Sequence, residues 1–268
     1  MCNLCRLLAS PATRFSGGCF CCRFPDLVSA AGRLAAFQPD VIFAEAVGSC
    51  TDIVATTLRP LIRDFSNQFR IAPLTVVVHP RRSFDNPHLA FLHQIQIAEA
   101  DLLFERGDDV PVWIDRVLTA TDGAGARRID VDYQRYAEAE AALAWLNARL
   151  IVHADPPISA PMLIGPLLDR LDGQIPIVHL KMFTQSDAGY LKAALIANGE
   201  EPQVEGALDA SPAEHHEVVM NIRALQEPDA LRETTARECA CLPGRVEWLR
   251  LECFRPLPPV PYHASTAR

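Results

Sequence analysis

Apolar residues follow two rhythms along this chain, and the rhythm changes near residue 150. In the first half, short wholly apolar runs alternate with helix-spaced ones. Leu27, Ala30, Ala31, Leu34 and Phe37 recur at helical spacing, and Gln38, Pro39 and Asp40 stop that helix. Val41, Ile42, Phe43 and Ala44 follow as an unbroken apolar run, which predicts a strand buried on both faces. A helix is predicted over about 51–65, with Ser49 or Thr51 as its cap, and a second buried strand over 74–78. Asn86 and Pro87 open a further helix carrying Leu89, Leu92, Ile95 and Ala98, and Asp101 to Phe104 reads as a third strand. Buried strands alternating with helices predict a parallel α/β sheet. Tyr133, Tyr136, Leu143 and Leu146 suit one more helix, packing a single face at the domain edge, and Trp145 to Ala148 fall within it.

From Pro156 the pattern differs. A proline-interrupted helix carries Leu163, Leu167, Leu168 and Leu171. Strand-like stretches follow at 175–183, 190–197 and 216–225, then a helix from Pro228 to about Cys241 and a last strand from Arg245 to Phe254. Several strands with few crossovers predict an antiparallel α+β domain with helices on one face. The expected division is therefore 1–150 and 151–268. The tail from Arg255 to Tyr262 is rich in proline and reads as extended.

Composition narrows the function classes. The 268 residues are 49% hydrophobic, enough for a sizeable core, and the net charge of −8 argues against nucleic acid as a main partner. No apolar run reaches the length of a membrane span, and the first sixteen residues have no signal-peptide core. Nine cysteines without such a signal point to a reducing, cytoplasmic setting, where thiols bind metal or pack.

Three of those cysteines fall within four residues, in Gly17-Gly18-Cys19-Phe20-Cys21-Cys22. Thiolates suit Zn²⁺ or Cu(I), and a divalent ion would be held tetrahedrally. Cys19, Cys21 and Cys22 supply three ligands at most, so a fourth must come from elsewhere or from water. The competing reading is a strand end packed with small thiols. Cys2 and Cys5 form a lone Cys-x-x-Cys that either adds ligands or belongs to a frayed terminus. His215 and His216 are adjacent and face apart in a strand, Cys239 and Cys241 face apart on a helix, and none of the four is assigned a site.

The Gly-Cys-x-Cys-Cys motif, followed by Asp26 and Leu27, resembles the metal-binding motif of the CobW-type metallochaperone GTPases, relatives of HypB and UreG. The resemblance extends along the first half. It implies that Glu45 and Gly48, after the first strand, stand for the family's Glu-x-x-Gly element, with Glu45 orienting Mg²⁺ near the γ-phosphate. It also places Asp109 where the family's guanine-reading Asp sits, although Arg106 and Gly107 replace the Asn and Lys beside it. The implied activity is GTP hydrolysis coupled to transfer of Zn²⁺ or Co²⁺ to a client metalloprotein.

One family element is missing from this sequence. A P-loop needs Gly-x-x-x-x-Gly-Lys-Ser/Thr, and neither lysine of the chain, Lys181 or Lys192, follows a glycine. The expected fold is thus an incomplete P-loop-NTPase-like parallel sheet followed by a smaller α+β domain. The expected function is metal handling without nucleotide chemistry in this form, either through truncation or through loss. The alternative is a non-catalytic binding or adaptor protein that keeps the fold. A strand left unpaired in such a sheet would favour self-association.

Overall fold

The computed structural model describes residues 18–79, 84–105, 109–120, 124–127 and 129–263. The chain divides into two compact units, Met1–Ala139 with Pro258–Arg268, and Glu140–Leu257.

In the first unit, helix α1 (Phe24–Ala35) starts with proline in its first turn, where a missing N–H costs nothing, and Asp26 adds an acid beside the positive helix end. A π-helical turn, Val54–Leu58, runs directly into α2 (Arg59–Phe65). Strand β1 (Thr75–Val78) is followed by α3 (Pro87–Glu99), where Asn86 Oδ1 accepts the amides of His88 and Leu89. Strand β2 (Leu102–Glu105) pairs with β1 in parallel, Thr75 opposite Leu102 through Val78 opposite Glu105, so α3 is the crossover that parallel pairing requires. Helices α4 (Val110–Thr119) and α5 (Tyr133–Ala141) complete the unit.

Three expectations for this unit need correction. The run Val41 to Ala44 forms no strand: it has no ladder, and Phe43 is 67% exposed. The run at 74–78 is a strand but is not buried on both faces, because Val77 is 71% exposed. Both differences have one cause. A two-stranded sheet offers too little surface to bury apolar runs on either side, so a sequence suited to a larger sheet is left uncovered. Finally, neither Ser49 nor Thr51 caps the helix at 53–65. The Val54 amide donates instead to Glu99 Oε2, 3.3 Å away, reached from α3.

The second unit is a six-stranded antiparallel sheet in the order β6-β5-β4-β7-β3-β8. Its elements are β3 (Ala144–Ile158), α6 (Ala160–Asp172), β4 (Ile177–Ser186), β5 (Gly189–Leu195), β6 (Gln203–Gly206), β7 (Ala213–Ala224), α7 (Pro228–Ala240) and β8 (Arg245–Phe254). Trp145 to Ala148 therefore belong to a strand, not to a helix. The three-residue spacing of Leu143 and Leu146 imitated a helix. The true period is two: Ala144, Leu146, Ala148, Leu150 and Val152 are all buried, and the residues between them are more exposed. These side chains meet Leu163, Leu167 and Leu171 of α6 and Leu231 and Cys239 of α7 in one continuous core, so both helices cover the same sheet face. The other face is polar, with Arg149 paired to Glu217 and Asn221 donating to Asn147 across β3 and β7.

Candidate metal centre

Cys19 to Cys22 form a turn closed by the Arg23 amide on the Cys19 carbonyl, 3.0 Å, and this turn leads into α1. Phe20 and Cys21 are buried by it, while Cys19 and Cys22 are half-buried. The turn brings the three sulfurs together: Cys19 to Cys21 at 2.6 Å, Cys19 to Cys22 at 3.2 Å and Cys21 to Cys22 at 3.7 Å.

A fourth sulfur lies close to Cys19 and Cys21. Buried Cys50 lies 4.0 Å from Cys21, and the sulfurs of Cys19, Cys21 and Cys50 all fall within 4.8 Å of one another. A tetrahedral ion with metal–sulfur bonds of about 2.3 Å needs sulfurs roughly 3.8 Å apart, so the Cys21 separations to Cys22 and Cys50 already suit it. Cys19 would have to move outward from Cys21. The donor set is all thiol, which fits a borderline or soft ion and suits neither Mg²⁺ nor Ca²⁺. Sequence spacing gave no sign of Cys50. It is a lone cysteine 28 residues beyond the motif, and only the folding of an intervening loop brings it in.

That loop is held by polar contacts. The Cys50 amide closes a turn on the Val47 carbonyl, 2.8 Å, and the Gln96 side-chain amide donates to the carbonyls of Gly48 and Cys50 at 2.9 and 3.1 Å. The Thr51 amide donates to the Tyr136 hydroxyl, and the Tyr133 hydroxyl donates to buried Asp52 at 2.5 Å. Asp52 has φ of 57°, a left-handed conformation that Asp tolerates better than most residues. Helices α3 and α5 thus clamp the segment that presents Cys50.

The electrostatics favour one thiolate among several thiols. Hydrogen bonds from the Cys21 and Cys50 thiols hold Cys19 far below the usual thiol range. Donation to Cys19 raises Cys21 and Cys50, and burial raises Cys22. An ion would displace the shared protons and take their place between the sulfurs. Nearby, burial pushes Glu99 up to about 7, with the Asp52 carboxylate adding to the effect. Burial and the Asp52 contact also raise Tyr133.

The carboxy-terminal segment reaches the same place. The Tyr262 amide donates to the Cys21 carbonyl at 2.7 Å, and a hydrogen bond from the Val260 amide favours the Cys22 thiolate. The Tyr262 ring stacks on Phe24 at 6.3 Å, and His263 meets the same ring edge-on at 4.6 Å.

The other residues singled out in the sequence do not join this cluster. Glu45 and Gly48 are exposed, and the Gly48 carbonyl is bonded to Gln96. The Asp109 carboxylate caps α4 by accepting the Val112 amide. Arg106, Gly107, Cys2 and Cys5 lie outside the described residues. An open depression of about 340 Å³, lined by Pro87, His88, Asp132, Gln134, Arg135 and Glu138, contains none of the predicted site residues. No helix among the described residues is long and apolar enough to cross a membrane.

No protein-family model matches the chain, and no curated protein does. Solved structures that match include the Zn(II)-bound YjiA GTPase from E. coli, at 12% identity and a TM-score of 0.27, covering 70% of this chain and 68% of that one. A Zn(II)-bound triple mutant of the YjiA GTPase matches at 12% identity and a TM-score of 0.25, covering 63% of this chain and 52% of that one. At those scores the likeness supports neither a shared fold nor a shared activity.

Proposed function

We propose that this protein holds a Zn²⁺-class ion as cargo, in the manner of the CobW-like metallochaperones that its Gly-Cys-x-Cys-Cys motif resembles. The carrying observation is the approach of Cys50 to Cys21 and Cys19, beside the turn that already holds Cys19, Cys21 and Cys22 together. Two segments far apart in sequence have no packing need to place four thiols together, since buried cysteines pack equally well among aliphatic side chains. Cys19, Cys21, Cys22 and Cys50 would be the ligands. Asp52, Tyr133 and Gln96 would fix the Cys50 loop, and the Val260 amide would tune Cys22 as outer-shell donors do.

GTP and Mg²⁺ find no such support. The sequence lacks the P-loop motif, and Asp109 has its carboxylate engaged as a helix cap. The proposed role for Glu45 and Gly48 is therefore confined to the loop that leads to Cys50. A client metalloprotein would accept the ion by thiolate exchange, a step favoured by the half-exposed Cys19 and Cys22.

Cobalt substitution tests the reading. The reduced protein should take one Co²⁺ and show thiolate charge-transfer bands and the intense visible bands of tetrahedral coordination. Cys50→Ser should weaken the bands, and the Cys19, Cys21 and Cys22 triple Ser variant should abolish them. Cobalt spectra without charge-transfer bands would sink the proposal.

A further inference from the structure

The polar face of the second unit carries a cluster that the cysteine centre does not explain. His153 on β3 and His215 on β7 are directly opposite one another in the antiparallel register. Their Nδ1 atoms face each other at 3.2 Å, with the rings nearly perpendicular, at 82°. On its far side, His153 Nε2 lies 3.2 Å from Glu247 Oε2, on the neighbouring strand β8. Three adjacent strands thus line up a carboxylate, an imidazole and a second imidazole. The backbone beneath is tightly fixed: Gly244, at φ of 106°, passes so close to the His153 carbonyl that a Cβ there would lie 2.1 Å from it.

We infer that His153 and His215 form a second, imidazole-type cation site on β3 and β7, with Glu247 as the carboxylate that orients His153. Metal-bound histidines characteristically donate the other ring N–H to a carboxylate, which fixes the tautomer and raises the basicity of the ligating nitrogen. Glu247 Oε2 stands where it can accept such a bond from His153 Nε2, on the side opposite the shared Nδ1 pair. With bonds of about 2.1 Å, a nitrogen separation of 3.2 Å places one ion between both rings at a bond angle of roughly 100°, suited to tetrahedral or octahedral chelation, with water in the remaining positions. Two neutral imidazoles select Zn²⁺, Ni²⁺ or Cu²⁺ over Mg²⁺ or Ca²⁺. Neighbouring His216 takes no part, because it points to the opposite face and is buried with Nε2 against the carbonyls of Ile158 and Ala213. Arg245, which pairs with Glu247, stands beside the site and lowers the affinity for a cation, so binding is weaker than at the thiols. The inference does not depend on the cysteine centre.

Zinc titration tests it, both in the full reduced chain preloaded with one equivalent of Zn²⁺ and in the Cys19, Cys21 and Cys22 triple Ser variant, where the same imidazole equivalent should be the first taken up. Calorimetry should detect a further equivalent, and side-chain ¹⁵N–¹H spectra should show the ring nitrogens of His153 and His215 moving together. His215→Ala should remove that equivalent while leaving the thiolate bands of the cobalt form unchanged. Glu247→Gln, which keeps the shape and loses the charge, should weaken it by about tenfold or more, as outer-shell changes do. A hydrogen-bonded histidine pair without metal affinity would give no further equivalent. That result, or a further equivalent that survives His215→Ala or shifts other histidines instead, overturns the inference.

Discussion

The two units bury their apolar residues in very different ways. The second has one core running through β3, α6, β4, β5, β7 and α7, with many side chains fully enclosed. The described part of the first has a small cluster of Phe91, Leu92, Val131, Tyr136 and Ala139, helped by the Arg135 guanidinium 4.3 Å above the Phe91 ring. Polar contacts do the remaining work there. Asp101 accepts the amides of Leu74 and Gly125, Gln96 and Tyr133 hold the Cys50 loop, and Glu99 receives the Val54 amide. A unit stabilised by aliphatic burial depends little on pH or on metal. A unit stabilised by a small core, buried acids and clustered thiols responds to protons and to metal. Sensitivity to ligand thus follows from a thin core rather than from any special switch.

The largest effect belongs to the second unit. Leu167 is fully buried on α6, and Leu167→Ala should cost about 2–5 kcal/mol, read as a lower denaturant midpoint. Cobalt binding by the cysteines should persist in that variant. A loss below about 1 kcal/mol would show that the core of the second unit is looser than its burial implies.

The next effect separates the units by pH. Glu99 is raised from 4.5 to about 7 in the fold, chiefly by burial. Because the folded value lies above the unfolded one, its contribution is fully present below pH 4.5 and is lost as pH rises through 7. The span corresponds to roughly 3 kcal/mol at most. Glu99→Gln keeps an acceptor for the Val54 amide and removes the charge. In metal-free protein its stability should change less with pH between 4.5 and 7 than that of wild type, and the two should diverge in favour of Gln at the upper end. Parallel pH profiles would mean that Glu99 is solvated.

Metal comes third. The first equivalent of Zn²⁺, at a hundredfold excess over its dissociation constant, should stabilise the first unit by about 2.7 kcal/mol. Differential scanning should show the gain in wild type and a smaller gain in Cys50→Ser. An equal gain in both would remove Cys50 from the ligand set.

These contrasts also explain what could be read from the sequence. The second unit was largely legible, because period-two burial and a helix with leucines on one face need no partner outside the segment to be recognised. It was misread at Trp145 to Ala148, where Leu143 and Leu146 mimic helical spacing at the start of β3, and β6 was not predicted, since all four of its residues are exposed and give it no buried face. In the first unit α1, α3, β1 and β2 were legible, yet Val41 to Ala44 was not, because an apolar run becomes a strand only if a neighbour pairs with it. The cysteine turn was legible as a local motif. Cys50, Tyr133 and Tyr262 were not, since each reaches the site through tertiary contacts that leave no spacing in the sequence.

The smallest effect concerns the tail, and it asks whether the first unit's site is closed by its own chain end. Val260 and Tyr262 offer two amides to the Cys22 sulfur and the Cys21 carbonyl, and Tyr262 and His263 pack on Phe24 at the start of α1. A hydrogen bond contributes about 1 kcal/mol net, or roughly a fivefold change in an equilibrium. Ending the chain after Leu257 should therefore speed Zn²⁺ transfer to a chelator by several-fold up to about tenfold. It should also speed the reaction of Cys21 and Cys22 with a thiol reagent in the metal-free protein. Tyr262→Ala removes the ring and keeps the amide, so its effect should be smaller on both readouts. The comparison between the two variants locates the contribution. If Tyr262→Ala matches the truncation, the ring packing on Phe24 holds the tail and the amides follow it. If neither variant changes either rate, the tail does not cover the thiols, and the site in the first unit opens to solvent as freely as the turn of Cys19 to Cys22 alone would allow.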